Sequence, residues 1–238
     1  MNSELPSVIY CATREKDIVE AEVSIKSVRE HHPYIEIILF TSFSDYKNPA
    51  INKIQVLKNQ KHNFLDKIST LIEVKRKKIL FLDGDTVLIE KIFDLFTILN
   101  QFDLAVAHAP NRWTVKLNDI PDAFPEFNTG VLLLNKSRKV KSLLKQWYSY
   151  YEKDLKLGLD HPSKDQPAFR KSLFESKVRF TTLTPEYNCR FSMGAMVSHT
   201  VKLLHGRSKD FNFIIENIND GPINKWSNEP KIRWIKYK

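Results

Sequence analysis

Glycine and cysteine are scarce in this chain, and acid is short against base. Six Gly and 11 Pro in 238 residues exclude Gly- or Pro-rich linkers and low-complexity tracts, and there is no repeat of fixed period. The two cysteines, Cys11 and Cys189, form no CxxC pair and no zinc spacing, which excludes a disulfide framework and a Cys-rich metal centre. Long apolar runs are missing as well. No window approaches the ~18 uninterrupted apolar residues of a transmembrane helix. The polar start MNSELP lacks the apolar core of a secretory signal. Cys11 lies in an apolar run and is expected to be a buried free thiol, so the expected setting is reducing and cytoplasmic.

Lys and Arg number 37 against 28 Asp and Glu, a net charge of +9. Such a chain attracts anions: nucleotides, nucleic acids or an anionic membrane surface. The runs Lys75-Arg76-Lys77-Lys78 and 136–145 hold much of the excess. They fall between apolar, strand-like runs and carry no nucleic-acid motif, so no nucleic-acid partner is expected. Hydrophobic residues make up 42%, enough for a sizeable core at this length.

Short apolar runs at 8–11 (VIYC), 35–40 (IEIILF), 54–57, 79–82 (ILFL), 104–107, 131–134 (VLLL) and 201–204 predict strands. Between them, helical spacing predicts helices over 20–30, ended by His32-Pro33, over 64–72, and over 138–157, where Leu143, Leu144, Trp147 and Tyr151 share a face. Strands alternating with helices, and strands apolar on both faces, predict an α/β fold with a mainly parallel sheet flanked by helices. Ligands in such folds bind beyond the carboxyl ends of the strands.

Three apolar runs adjoin polar residues of interest. ILFL delivers Asp83-Gly84-Asp85-Thr86, two carboxylates about a glycine that suit one hard cation, although such a trio also serves as a turn or cap. VLLL is preceded by Phe127-Asn128-Thr129-Gly130. The late strand delivers His205-Gly206, where His205 is either a satisfied structural residue or a further metal ligand. Asp165-Gln166 follows the polar stretch 160–164 and precedes a short helix, so Asp165 also reads as an N-cap.

Taken together, these segments resemble nucleotide-sugar glycosyltransferases of the GT-A fold, and most closely the galactosyltransferase/glycogenin-like glycosyltransferase family 8. The four motifs KILFLDGDT, FNTGVLLLN, DQPAF and LHGRSK occur in the family's order and span nearly the whole chain. The resemblance implies a single GT-A domain over 1–238, with a nucleotide-binding half over about 1–110 and a sugar and acceptor half over about 111–238. It implies Mn²⁺ or Mg²⁺ held by Asp83, Asp85 and His205, and a donor, a UDP-sugar, whose sugar passes to a glycan, lipid or protein hydroxyl with retention of configuration. It places Tyr10, Ala12 and Thr13 by the base and ribose, Lys67, Gly84, Asn128 and Gly206 by the donor, and Asp165 and Gln166 at the sugar in catalytic positions. Lys209 would touch the diphosphate. The late motif is compressed relative to the family, so Arg207 is the competing diphosphate contact, and the first strand lacks the family's common Asp.

Two other readings compete. A nucleotidyltransferase would carry a Gly-rich phosphate loop near the start, and 10–16 contains no Gly. A non-catalytic basic sugar- or nucleic-acid-binding module would not need the two Asp, the Asp-Gln pair and His205 together. Finally, the segment 231–238 (KIRWIKYK) interleaves basic residues with Ile, Trp and Tyr. It is either a last strand or a site of weak peripheral contact with an anionic membrane.

Overall fold

The computed structural model describes residues 5–110, 115–161, 163–220 and 232–237. Residues 1–4, Pro162, Lys231 and Lys238, all used above, lie outside them. The first unit is β1 (Ser7–Ala12), α1 (Glu15–His31), β2 (Glu36–Thr41) and β3 (Lys53–Val56). Helix α1 starts a turn earlier than the apolar spacing suggested, because its first turn, EKD, is acidic and suits the positive end of the helix dipole. It ends at His32, as expected. Next come α2 (Phe64–Glu73), capped by the Asn63 side chain on the Leu65 amide, β4 (Lys78–Leu82) and β5 (Thr86–Leu88).

A 3-10 helix (Phe93–Asn100) leads to β6 (Leu104–His108) and β7 (Phe127–Asn135). Helix α3 (Arg138–Lys156) is capped by Ser137 and buries Val140, Leu143, Leu144, Trp147 and Tyr151 along one stripe. Then follow α4 (Gln166–Glu175), β8 (Phe180–Leu183), β9 (Ala195–Val197), β10 (Leu203–His205), α5 (Phe211–Asn217) and β11 (Arg233–Ile235). The late strand begins at Leu203 and not at Val201, because the Asn219 side chain takes both the amide and the carbonyl of Val201. The 232–237 stretch supplies β11, paired antiparallel with β9, and leaves Trp234 65% exposed.

Seven strands form the central sheet in the order β3-β2-β1-β4-β7-β6-β8. Only β7 runs against its neighbours β4 and β6; the remaining pairs are parallel. One apolar cluster packs α2, α3 and α4 on one face, and a second packs α1 and the 3-10 helix on the other. A third, smaller cluster joins β9, β10, β11 and α5. The fold is the expected α/β arrangement: a mainly parallel sheet flanked by helices.

The reversed β7 positions the site. The segment FNTG opens β7 while Asp83-Gly84-Asp85 follows β4, so antiparallel pairing brings both to one edge. The Asp83 amide donates to the Gly130 carbonyl at 2.8 Å. Register between β6 and β7 jumps from Val106↔Leu132 to Ala107↔Asn128, so residues 129–131 bulge away from β6 beside Asp83.

Candidate active site

A cavity of about 520 Å³ opens at this edge, lined among others by Thr13, Lys67, Asp83, Asp85, Asn128, Asp165, Gln166, Arg190, His205 and Arg207. Its size is in the range of pockets that bury a small-molecule ligand. Strand β10 pairs antiparallel with β5 in the register His205↔Thr86, which sets the imidazole beside the Asp pair. His205 Nε2 lies 3.3 Å from Asp85 Oδ1 and 4.0 Å from Asp83 Oδ2. One ligand atom from each of the three residues falls within 4.8 Å of the other two.

The tautomer of His205 follows from a chain of amides. The Gly130 amide, which can only donate, gives its hydrogen to Asn128 Oδ1 at 3.2 Å. Asn188 Nδ2 donates to the same oxygen at 3.0 Å, so Asn188 turns its Oδ1 toward His205 Nδ1, 2.8 Å away. In the neutral ring Nδ1 therefore carries the proton and Nε2 is the nitrogen left to take a cation; with no cation there, a protonated Nε2 donates to Asp85. Asn128 Nδ2 continues the chain to Gln166 Oε1 at 3.1 Å, and Gln166 Nε2 to Glu126.

Does this set fit a divalent cation? Two carboxylates and an oriented imidazole nitrogen are oxygen-rich ligands with one borderline donor, which suits Mn²⁺ or Mg²⁺. Gly130 gives the imidazole its seat. A Cβ on Gly130 would lie 2.1 Å from His205 Cε1 and 2.8 Å from Asp83 Oδ2, so only glycine leaves room there. The residues fit the ion. Asp85 is held well below the ordinary carboxylate range: burial alone would raise it, but hydrogen bonding to and the charge of His205, then Arg207 and Arg190, outweigh that cost.

Lys67 projects from α2 into the floor of the cavity, 5% exposed. Its Nζ donates to Thr129 Oγ1 at 3.0 Å and lies 3.4 Å from Asp165 Oδ2 and 3.5 Å from Asp83 Oδ1. The rings of Phe64, Phe81 and Trp147 surround it at 5.2 to 6.0 Å from their centroids. Burial alone would push the ammonium down, but Asp165 and Asp83 outweigh it and hold its pKa above the ordinary value. Burial raises Asp165 in turn, against the opposing pull of Lys67. Asp165 does stand at the N-cap position of α4, yet its side chain makes no cap bond. It accepts instead from Thr129 Oγ1 at 3.0 Å, so the carboxylate is spent on the site and not on the helix end.

The remaining expected residues are placed by simple alternation. Along β1, Cys11 and Thr13 face the cavity, whereas Tyr10 and Ala12 point to the opposite face and pack toward α1. The Tyr10 hydroxyl bonds Ser24 at 2.8 Å, and neither Tyr10 nor Ala12 lines the cavity. Cys11 is half-buried, not fully buried, and both thiols are free, each pushed up to about 12 by burial. Gly206, at φ +142°, donates its amide to the Asp85 carbonyl at 2.9 Å but does not line the cavity. Lys209 does not line it either; Arg207 does, 3.4 Å from Asp85 and paired twice with Glu20.

The residues 20–213 match the family model described as nucleotide-diphospho-sugar transferase. The chain belongs to the nucleotide-diphospho-sugar transferase family. No curated protein sequence matches it. Among solved structures it is similar to the glycosyltransferase GlyE of Streptococcus pneumoniae TIGR4, with a TM-score of 0.62 and 19% identity over 88% of this chain. At that identity the likeness concerns the fold. The chain spans 56% of the length of GlyE.

Asn188, Arg190, Gly130 and Thr129 were not assigned roles from sequence. Residues 188–190 show neither helical nor alternating apolar spacing. The one available signal was local: a buried Cys189 between two polar residues, the pattern of an extended segment with one buried face. Cys189 does bridge Leu204, and Asn188 and Arg190 both reach the site.

Proposed function

We propose that this nucleotide-diphospho-sugar transferase is a metal-dependent glycosyltransferase of the family 8 type, moving a sugar from a UDP-sugar to an acceptor hydroxyl with retention of configuration. The observation that carries the reading is the convergence of Asp83, Asp85 and His205, the imidazole seated against a glycine where any side chain would displace it. A divalent cation bound there would neutralise diphosphate charge as a Lewis acid. The chain's own residues bind and orient. Asn128 and Gln166 present amides at the donor sugar, and Asp165 accepts from a sugar hydroxyl while Lys67 holds it in place. Thr13 lies toward the base and ribose. The acceptor oxygen bonds to the anomeric carbon as the bond from that carbon to the diphosphate breaks. The electron pair leaves with the diphosphate, and the acceptor proton passes to its oxygen.

In this reading residues 1–110 supply the nucleotide side and 111–238 the sugar and acceptor side. Donor hydrolysis over a panel of nucleotide-sugars, with and without Mn²⁺, tests it: Mn²⁺-dependent turnover of a UDP-sugar is expected, and metal-independent turnover or none with any donor overturns it.

No helix among the described residues is long and apolar enough to cross a membrane. We further propose weak peripheral contact with anionic lipid through Ile232, Arg233, Trp234 and Lys236, supported by the exposure of Ile232 and Trp234. Co-sedimentation with anionic but not neutral vesicles is expected, falling with salt; equal pelleting with both removes the idea.

A further inference from the structure

We propose that Arg190, and neither Lys209 nor Arg207, is the principal side-chain contact to the donor diphosphate; this rests on the glycosyltransferase reading above. Three observations carry it. First, Arg190 lines the cavity from the segment that also supplies Asn188, with its guanidinium within electrostatic reach of Asp83 and Asp85. Second, Arg190 Nε is buried and has no hydrogen-bond partner among the described residues. Among the described residues its Nη2 hydrogen-bonds only the Met193 sulfur, at 3.5 Å, a weak acceptor. Orphaning a buried donor of a charged group is costly, and an arginine kept in that state in a cavity is one whose partner arrives with the ligand.

Third, the competitors are otherwise engaged. Arg207 gives Nε and Nη2 to Glu20 at 2.5 and 2.7 Å, and Lys209 is outside the cavity lining. An arginine fork beside a carboxylate-held cation matches the two needs of a diphosphate: metal bridging on some oxygens and charge-assisted donors on others. The sequence hid this role, because Arg190 lies 15 residues before His205 in a stretch without motif.

The test uses the full chain with Mn²⁺ and whichever of UDP, GDP, ADP, CDP or TDP binds tightest. Affinity for that diphosphate is measured by calorimetry and for its nucleoside by NMR titration, in wild type, Arg190→Gln, Arg190→Lys, Lys209→Gln and Arg207→Gln. The last is expected to lose less than Arg190→Gln, and a larger loss there overturns the assignment. Thermal melting of the ligand-free proteins reports folding. Arg190→Gln is expected to weaken the diphosphate about 10- to 100-fold with nucleoside affinity and melting temperature unchanged. Arg190→Lys should recover part of the loss, and Lys209→Gln should match wild type. Equal weakening of diphosphate and nucleoside, or a fall in melting temperature with it, makes Arg190 structural and overturns the assignment. So does a larger loss in Lys209→Gln. Wild type binding none of the five diphosphates sinks the glycosyltransferase reading itself, a result distinct from a failure of Arg190 alone.

Discussion

His205 Nδ1 lies 2.8 Å from Asn188 Oδ1, and that one contact decides which imidazole nitrogen faces the carboxylates. Partners behind a metal ligand typically contribute 10–100-fold to affinity. Asn188→Leu keeps the volume but not the acceptor, so Mn²⁺ affinity is expected to fall about 10–100-fold, read by electron paramagnetic resonance of free Mn²⁺. An unchanged affinity shows that the imidazole needs no such support.

Gly130→Ala tests the seat of the imidazole. A methyl 2.1 Å from the imidazole must push His205 or β7 aside, at a cost of about 1–3 kcal/mol in stability. Mn²⁺ binding should be lost even where the variant stays folded in urea titration. Retained Mn²⁺ binding at wild-type strength contradicts the proposed position of the ion.

The buried Lys67–Asp165 pair predicts non-additive mutants. Removing one partner leaves a buried charge uncompensated and costs about 3–5 kcal/mol. Lys67→Met and Asp165→Asn are each expected to destabilise, and the double variant to lose less than the sum of the two. Urea unfolding of the four proteins measures this cycle; strict additivity would remove the pair as a unit.

Acid sensitivity has an identifiable contributor away from the site. Glu36 accepts from Arg76 Nε at 2.6 Å and from Ser7 Oγ at 2.5 Å, tying β2 to β1 and to the start of β4. The Arg76 hydrogen bonds, against the cost of burial, hold its carboxyl below the ordinary value. A depressed folded-state pKa gives stability present above the unfolded value, about 4.3, and lost as pH falls toward the folded one. Glu36→Gln should therefore be less stable than wild type at pH 7, with the difference shrinking below pH 4. A constant difference across that range is the contrary outcome.

Sequence reading recovered the elements that bury apolar runs. ILFL, VLLL and the α3 stripe have one physical solution each, and the two Asp with His205 stood next to such runs. It could not recover what depends on direction. Nothing in VLLL says that β7 runs against β4, yet that reversal brings Asn128 and Gly130 to Asp83. The family resemblance places Tyr10 and Ala12 by the ligand, while alternation along β1 turns their side chains toward α1. Asp165 had the composition of a cap, and only three dimensions reveal Lys67 beside it.

Strand β7 bonds to both β4 and β6 inside the sheet, and Asn128, Thr129 and Gly130 near its start line the cavity. The amides that hold the site in shape therefore belong to the part of the molecule that opens last. In hydrogen exchange, the Asp83 amide bonded to Gly130 should report global unfolding, whereas the amides of Lys61 and His62, held only by the Asp66 side chain, should exchange through local opening. Any yielding of the cavity on that side falls to the rim around residues 61–62, because the floor belongs to the middle of the sheet.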